Sequence, residues 1–229
     1  MERVPAGDEE RLLLAGLRQG QAHAFEQLMR RYNRLLYRAA RGILHDNAEA
    51  QDVVQETWLR AFQGLASFRG DASLATWLTR IAIHQALDQH RKLGRTVLWD
   101  GDPAQEDEMP RYPSDLAPTP PSPEQELARQ QVRRRIEQAI DLLPPIYRAV
   151  FILRAVQGLA VEDTAQALQV SADVVKTRYL RARAQLREQL DFDPETEAAY
   201  LHDFAGARCD DTVAAVLARL RAAGVIRDQ

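Results

Sequence analysis

Basic side chains cluster on one stretch of the chain that is predicted to form a DNA-reading helix. Ser171 is placed to cap this helix, and Asp173 in its first turn suits the helix dipole. The residues predicted to pack recur at helical spacing: Val175, Tyr179, Ala182 and Leu186. Those predicted to read base edges are Val174, Arg178, Arg181 and Gln185, while Lys176, Arg183 and Arg187 are predicted to meet phosphates on a flank. The alternative is a solvated basic face on an ordinary core helix.

A second cluster mixes aromatic and basic side chains. Single-stranded DNA binding requires such a mixture, because bases stack on rings while cations follow the backbone. The members of this cluster are Phe68, Arg69, Trp77, Arg80, His84, Arg91, Lys92 and Arg95. Trp77 taken alone is also explained as a core residue, but the basic residues at the end of the segment favour DNA binding.

Three carboxylates, Glu49, Asp52 and Glu56, are spaced so that they share one face of a predicted helix. They could bind metal with His84 and Asp88 from another helix, but the Glu-x-x-His pairs of di-iron bundles are missing. A solvated acidic stripe and a docking surface for a basic partner are the other interpretations.

The sequence contains no nucleophile paired with a base, no phosphate-cradling glycine loop and no Cys-x-x-Cys pair. We therefore predict that the protein is not an enzyme and that it needs neither a cofactor nor a metal. Its single cysteine, Cys209, is either a small buried hydrophobic residue or a reactive thiol.

Helical periodicity dominates the elements that must position these residues, so the predicted fold class is all-α. An N-terminal helix bundle (residues 1–95) is expected, with helix starts at Asp8, Ala22, Asp46 and Ser73. A proline-rich acidic linker (96–128) leads to a helix-turn-helix domain (129–190) with helices predicted over 147–155 and 161–168. A short helical C-terminal extension (191–229) is expected to hold two helices. One side of the second carries Val213, Val216, Leu217 and Leu220.

Charge is unevenly distributed along the 229 residues, although the net charge is only -3. Residues 1–95 carry +3, 96–128 carry -7, 129–190 carry +5 and 191–229 carry -4. This alternation suggests nucleic-acid-facing domains separated by segments that avoid nucleic acid. With no apolar run of the roughly 18 residues that a membrane helix needs and no signal peptide, we expect a cytoplasmic protein without membrane insertion.

Two blocks of the sequence together resemble the extracytoplasmic-function (ECF) group of bacterial RNA polymerase sigma factors. The first, similar to region 2, comprises residues 48–58 (AEAQDVVQETW), Phe68-Arg69-Gly70, Thr76-Trp77-Leu78, Arg80-Ile81-Ala82 and Ala86-Leu87-Asp88. The second, similar to region 4, comprises Leu143-Pro144, Tyr147-Arg148, residues 162–165 (EDTA), residues 175–178 (VKTR) and residues 181–183 (RAR). The two blocks occur in this order and are joined by a linker, which strengthens the resemblance.

The resemblance implies a sigma factor that directs promoter recognition, DNA melting and transcription initiation. It implies polymerase binding by Asp52, Gln55, Glu56 and Trp58. It implies minus-10 binding by Phe68, Arg69, Gly70, Trp77, Arg80, His84, Asp88, Arg91, Lys92 and Arg95, and minus-35 binding by Val174, Lys176, Thr177, Arg178, Arg181, Arg183, Gln185 and Arg187. The implied partners are core RNA polymerase, promoter DNA as duplex and melted strand, and an anti-sigma factor as a further candidate.

Three features depart from the family pattern. His84 stands where the family usually carries asparagine, the linker is long, and the residues from Asp191 onward extend beyond the usual family ending. We expect these last residues to form a regulatory or stabilising extension. The alternative functions are a conventional helix-turn-helix regulator, which would bind its duplex without polymerase, and a carboxylate-metal enzyme in the N-terminal bundle.

Overall fold

The computed structural model describes residues 6–68, 70, 72–94, 123–190 and 206–226, and every element in those ranges is a helix. The predicted all-α class is confirmed. The chain divides into two compact units, residues 1–92 with 203–229 and residues 93–202. Within the described residues, no helix is both long enough and apolar enough to cross a membrane.

The N-terminal unit is built from helices that mostly begin where the sequence predicts. They are α1 (Ala6–Arg18), α2 (Ala22–Ile43), α3 (Asn47–Gln63), a 3-10 turn (Leu65–Ser67) and α4 (Leu74–Lys92). Asp46 caps α3 by accepting hydrogen bonds from the backbone N–H groups of Ala48 and Glu49, at 2.8 and 2.9 Å. Ser73 likewise accepts from the N–H of Thr76 at 3.1 Å. The prediction for α1 is wrong by a few residues, because the helix already includes the expected cap, Asp8.

An aromatic cluster forms the centre of the N-terminal unit. The rings of Phe25 and Phe62 meet edge to face with centroids 4.4 Å apart, and Trp58 stacks on Phe62 at 5.4 Å. Leu36 and Leu78 are also fully buried. Helices α2, α3 and α4 therefore share one continuous core, which fixes the faces that they present to solvent.

The C-terminal unit contains α5 (Pro123–Leu142), α6 (Pro145–Phe151) continued by a π-helical turn (Ile152–Val156), α7 (Val161–Leu168) and α8 (Ala172–Gln189). Residues 123–128 are helical, so the predicted end of the linker at residue 128 is wrong. Proline favours the first position of a helix, which is where Pro123 stands in α5. The rest of the predicted linker lies outside the described residues.

The final helix, α9 (Ala207–Ala222), packs against α2 and α3 of the N-terminal unit. The four apolar residues predicted on one side of it are all buried: Val213, Val216, Leu217 and Leu220. Cys209 is also buried, in agreement with the first of its two interpretations. The other helix predicted in the extension falls on residues that the structure does not describe.

Candidate nucleic-acid interface

Phe68 and Trp77 form an aromatic pair at the start of α4. Their ring centroids are 5.2 Å apart and the ring planes are tilted by 45°. Both side chains are half-buried, so Trp77 is neither a core residue nor fully exposed. The chain reaches Phe68 through the 3-10 turn, where the Ser67 hydroxyl donates to the Gly64 carbonyl at 2.6 Å. The pair offers ring surface on which an unpaired base can stack.

The predicted minus-10 residues of α4 share one face of that helix. Trp77, Arg80, His84, Asp88 and Arg91 recur every three or four residues, and none of them is buried. His84, Arg91 and Lys92 are exposed, while Asp88 forms an ion pair with Arg91. Gly70 is exposed, with a positive φ of 83° that favours glycine. Arg69 and Arg95 lie outside the described residues.

Three of the predicted polymerase-binding residues are accessible on α3: Asp52, Gln55 and Glu56. Asp52 is exposed, and Gln55 and Glu56 are half-buried. Glu56 forms ion pairs with Arg60 of the same helix, at 3.2 Å, and with Arg219 of α9, at 3.9 Å. Among the described residues there is no group of three or more His, Cys, Asp or Glu side chains that could hold a metal ion.

The prediction that Trp58 contacts a partner is wrong for this structure, because its side chain is completely buried. Its indole Nε1 donates a hydrogen bond to Asn33 Oδ1 at 2.6 Å, and its ring stacks on Phe62. Trp58 follows Val54 by four residues, so both lie on the core side of α3, whereas Asp52 points to solvent. A tryptophan with its indole N–H already bonded is a core residue.

Helices α7 and α8 form the predicted helix-turn-helix. The turn contains Gln169 in the left-handed conformation, with φ 57° and ψ 42°, and Ser171 caps α8 by accepting from the N–H of Val174 at 3.3 Å. The predicted packing face of α8 is confirmed: Val175, Tyr179, Ala182 and Leu186 are all buried. Tyr179 stacks on Phe151 at 6.2 Å, which ties α8 to α6.

Five of the predicted minus-35 residues remain accessible on α8. Lys176 and Arg187 are exposed, while Val174, Arg181 and Gln185 are half-buried. Lys176 lies 3.3 Å from Asp173, and Arg181 Nη1 donates to the Tyr147 hydroxyl at 3.4 Å. These weak surface contacts leave the side chains close to solvent.

Three other predicted minus-35 residues are buried, which contradicts their placement on an accessible surface. Arg178 is 2% exposed, Thr177 5% and Arg183 9%. The Thr177 hydroxyl donates to the Asp173 carbonyl at 2.9 Å, and the Arg183 guanidinium lies over the Tyr179 ring at 5.9 Å. At about 100° per residue, Arg178 lies only about 70° from the centre of the packing face, so its long stem can fold along the core boundary.

The sequence did not reveal the contacts that α9 makes with α3, one of which involves the candidate Glu56. Arg219 reaches Glu56, and the Thr212 hydroxyl accepts from Gln51 Nε2 at 3.3 Å. The apolar stripe of α9 signals that one side is covered, but it does not identify the covering helices.

Comparison with known proteins agrees with both blocks. The family model of Sigma-70 region 2 matches residues 28–96, and that of Sigma-70 region 4 matches residues 133–186. The RNA polymerase sigma-H factor of Pseudomonas aeruginosa is 32% identical over 183 residues, which cover 80% of this chain and 94% of that protein. The ECF RNA polymerase sigma factor SigM of Mycobacterium tuberculosis is 33% identical over 181 residues, covering 79% of this chain and 84% of SigM.

A solved structure of CnrH in complex with the cytosolic domain of CnrY is also similar. It has a TM-score of 0.53 and 27% identity, and the match covers 80% of this chain and 97% of CnrH. Both family-model matches end before Ala207, so α9 lies outside them.

Proposed function

The chain belongs to the ECF group of RNA polymerase sigma factors, and we propose that its two units hold two separated elements of one promoter. As a sigma factor it acts in transcription initiation, with core RNA polymerase and promoter DNA as partners. The proposal assigns the minus-10 element to residues 1–95 and the minus-35 element to the helix-turn-helix region, residues 129–190. The segment between α4 and α5 would join them and the extension (191–229) would follow.

The single observation that carries the minus-10 assignment is the pair of half-buried rings beside a basic helix face. Phe68 and Trp77 lie 5.2 Å apart at one end of the face on which His84 and Arg91 are exposed. Unpaired bases would stack on the rings while the cations neutralise phosphates. Arg69, Gly70, Arg80, Asp88, Lys92 and Arg95 are the other residues proposed for this site.

The minus-35 assignment uses the accessible part of α8. Arg181, Gln185 and Val174 would face base edges in the major groove, because they share one side of the helix. Lys176 and Arg187, both exposed, would contact phosphates. Arg178, Thr177 and Arg183 are left out of the proposed contacts, since their side chains are almost fully covered.

Asp52, Gln55 and Glu56 are proposed to dock on core polymerase, because they are accessible on α3 and two of them carry carboxylates. We also propose that the chain itself catalyses no reaction and works in the cytoplasm, where polymerase and DNA are found. The free energy of binding would then separate the two strands of the promoter duplex. Flipping a base out of the stack costs a few kcal/mol, which stacking and phosphate contacts can offset.

An anti-sigma factor is a further candidate partner. The similar protein CnrH was solved with the cytosolic domain of CnrY bound. A protein of that kind would be found by affinity capture with the tagged chain, followed by a test of whether it blocks holoenzyme formation.

Run-off transcription with purified core polymerase on a genomic library tests the proposal. We expect defined transcripts with wild-type protein and none with Asp52→Arg, which reverses the charge of the docking face. Gln63→Arg, an exposed change at the end of the same helix, is the matched control. A conventional regulator would instead bind its duplex tightly without polymerase and yield no transcripts, and that result would refute the proposal.

A further inference from the structure

Helix α9 is held on the N-terminal unit mainly by its apolar side. Cys209, Val213, Val216, Leu217 and Leu220 are all buried, and the helix contacts both α2 and α3. The parts of α2 and α3 beneath α9 therefore form a strip that covers the apolar side of this helix. A strip of this kind is a typical binding site for one amphipathic helix.

Polar contacts along α9 fix its register on the two helices. Asp210 pairs with Arg30 of α2 at 2.6 Å, and the Cys209 thiol accepts from Asn33 Nδ2 at 3.2 Å. On α3, Gln51 donates to Thr212 at 3.3 Å, and Glu56 lies 3.9 Å from Arg219. Both ion pairs are solvent-exposed and contribute little individually, so the apolar side provides most of the affinity.

One α3 contact of α9 lies just before the proposed polymerase-docking residues, and the other involves one of them. Gln51 is one turn before Gln55, and Glu56 is itself a member of the docking set. A helix with its side chains is about 10 Å wide, so α9 sterically restricts access to the docking residues from its side. Arg219 also places a second cation beside Glu56, which already pairs with Arg60 of its own helix.

Helices α1 to α4 have a core of their own beneath this surface. The rings of Phe25, Phe62 and Trp58 pack against one another, and Leu78 of α4 is fully buried. Because α9 follows the whole C-terminal unit along the chain, it can leave the surface without removing an element from the middle of the bundle.

We propose that α9 is an intramolecular competitor of core RNA polymerase for the surface formed by α2 and α3. This inference rests on the proposed docking role of Asp52, Gln55 and Glu56. With α9 bound, polymerase meets Arg219 and the side of the helix. With α9 displaced, Glu56 loses its contact with Arg219 but keeps its pair with Arg60, and polymerase gains the strip that α9 had covered.

A reversible cross-link tests the competition in the full chain. Arg30→Cys and Asp210→Cys are combined with Cys209→Ala and joined by a short bis-thiosulfonate reagent, which spans the gap that the arginine side chain fills. We expect the cross-linked protein to bind core polymerase at least ten-fold more weakly, and reduction to restore binding. The control is the Arg30→Cys, Cys209→Ala chain treated with the same reagent. Equal affinity before and after reduction would overturn the proposal.

A second variant tests the opposite direction. Val216→Asp places a charge on the buried side of α9 and should increase polymerase affinity several-fold, whereas Ala214→Asp on the exposed side should not. Circular dichroism checks that α1 to α4 stay folded. If α9 only stabilised the unit, Val216→Asp would instead weaken polymerase binding and the cross-link would have no effect. If neither wild type nor any variant binds polymerase, the proposed docking function itself fails.

Discussion

Asn33 donates a hydrogen bond to Cys209 across 3.2 Å, although 176 residues separate them in the sequence. The same side chain accepts a hydrogen bond from the Trp58 indole at 2.6 Å. Asn33 is completely buried, so one amide joins α2, α3 and α9 inside the N-terminal unit. A buried amide that loses its hydrogen-bond partners destabilises the fold, whereas one that keeps them helps to specify a single packing of the core.

Asn33→Ala should therefore destabilise the N-terminal unit by about 1–3 kcal/mol, because it leaves the buried Trp58 N–H without its acceptor. Urea unfolding followed by tryptophan fluorescence measures the loss. Gln63→Ala, at an exposed position on α3, is the control and should change the free energy of unfolding little. Equal shifts for the two variants would contradict the importance of this hydrogen bond.

Tyr32 links α1 to α2 and should make stability depend on alkaline pH. Burial raises the pKa of its hydroxyl above the ordinary 10.0, and the 2.6 Å hydrogen bond to Glu10 raises it further. Above about pH 10 the unfolded chain loses this proton while the folded chain keeps it, so stability falls as pH rises. Tyr32→Phe should remove that part of the decline, while Tyr147→Phe should not. Urea unfolding at several alkaline pH values compares the slopes.

Trp77→Ala should weaken binding of the holoenzyme to a single-stranded minus-10 oligonucleotide. One lost base stack costs about 1–3 kcal/mol, a fall in affinity of roughly 5- to 150-fold. Trp77→Phe keeps a ring beside Phe68 and should retain much of the binding. Fluorescence anisotropy with a labelled oligonucleotide measures both variants. Unchanged affinity for Trp77→Ala would mean that the ring pair serves packing alone.

The sequence pattern predicted helices and faces better than individual contacts. Val175 and Leu186 are buried as expected, because periodicity reports directly which side of a helix is covered. Arg178 is misplaced because a long side chain at the edge of a face can turn toward the core or toward solvent, and only its packing neighbours decide the direction. Trp58 is assigned to a partner by the resemblance alone, whereas its spacing from Val54 places it on the core side of α3. The site of α9 on α2 and α3 could not be predicted, since an apolar stripe does not identify the helices that cover it.

Variants of Arg181 and Arg187 should distinguish contacts with base edges from contacts with phosphates. Arg181→Ala should weaken the preference for the cognate promoter by about 1–3 kcal/mol, because a base contact is lost. Arg187→Ala should weaken cognate and scrambled minus-35 sequences alike and lower the salt dependence by about one counterion. Holoenzyme binding to both duplexes at two salt concentrations distinguishes them. Identical behaviour of the two variants would refute the division.

In the turn of the helix-turn-helix, the backbone conformation rather than a side-chain contact should determine whether a substitution stabilises or destabilises the fold. Gln169 adopts a left-handed conformation, which costs a residue with a Cβ about 1–2 kcal/mol. Gln169→Gly removes this cost but makes the unfolded chain more flexible, so we expect a net gain of about 0.5–1 kcal/mol.

Gln169→Val should have the opposite effect, because a β-branched side chain tolerates a positive φ poorly. Hydrogen exchange of the α7 and α8 amides measures both changes locally, since exchange follows the free energy of opening. The backbone N–H of Gln169 closes α7 by donating to the Ala165 carbonyl, and glycine preserves that bond. Faster exchange in Gln169→Gly would therefore mean that contacts of the glutamine side chain outweigh the backbone strain at the turn that orients α8.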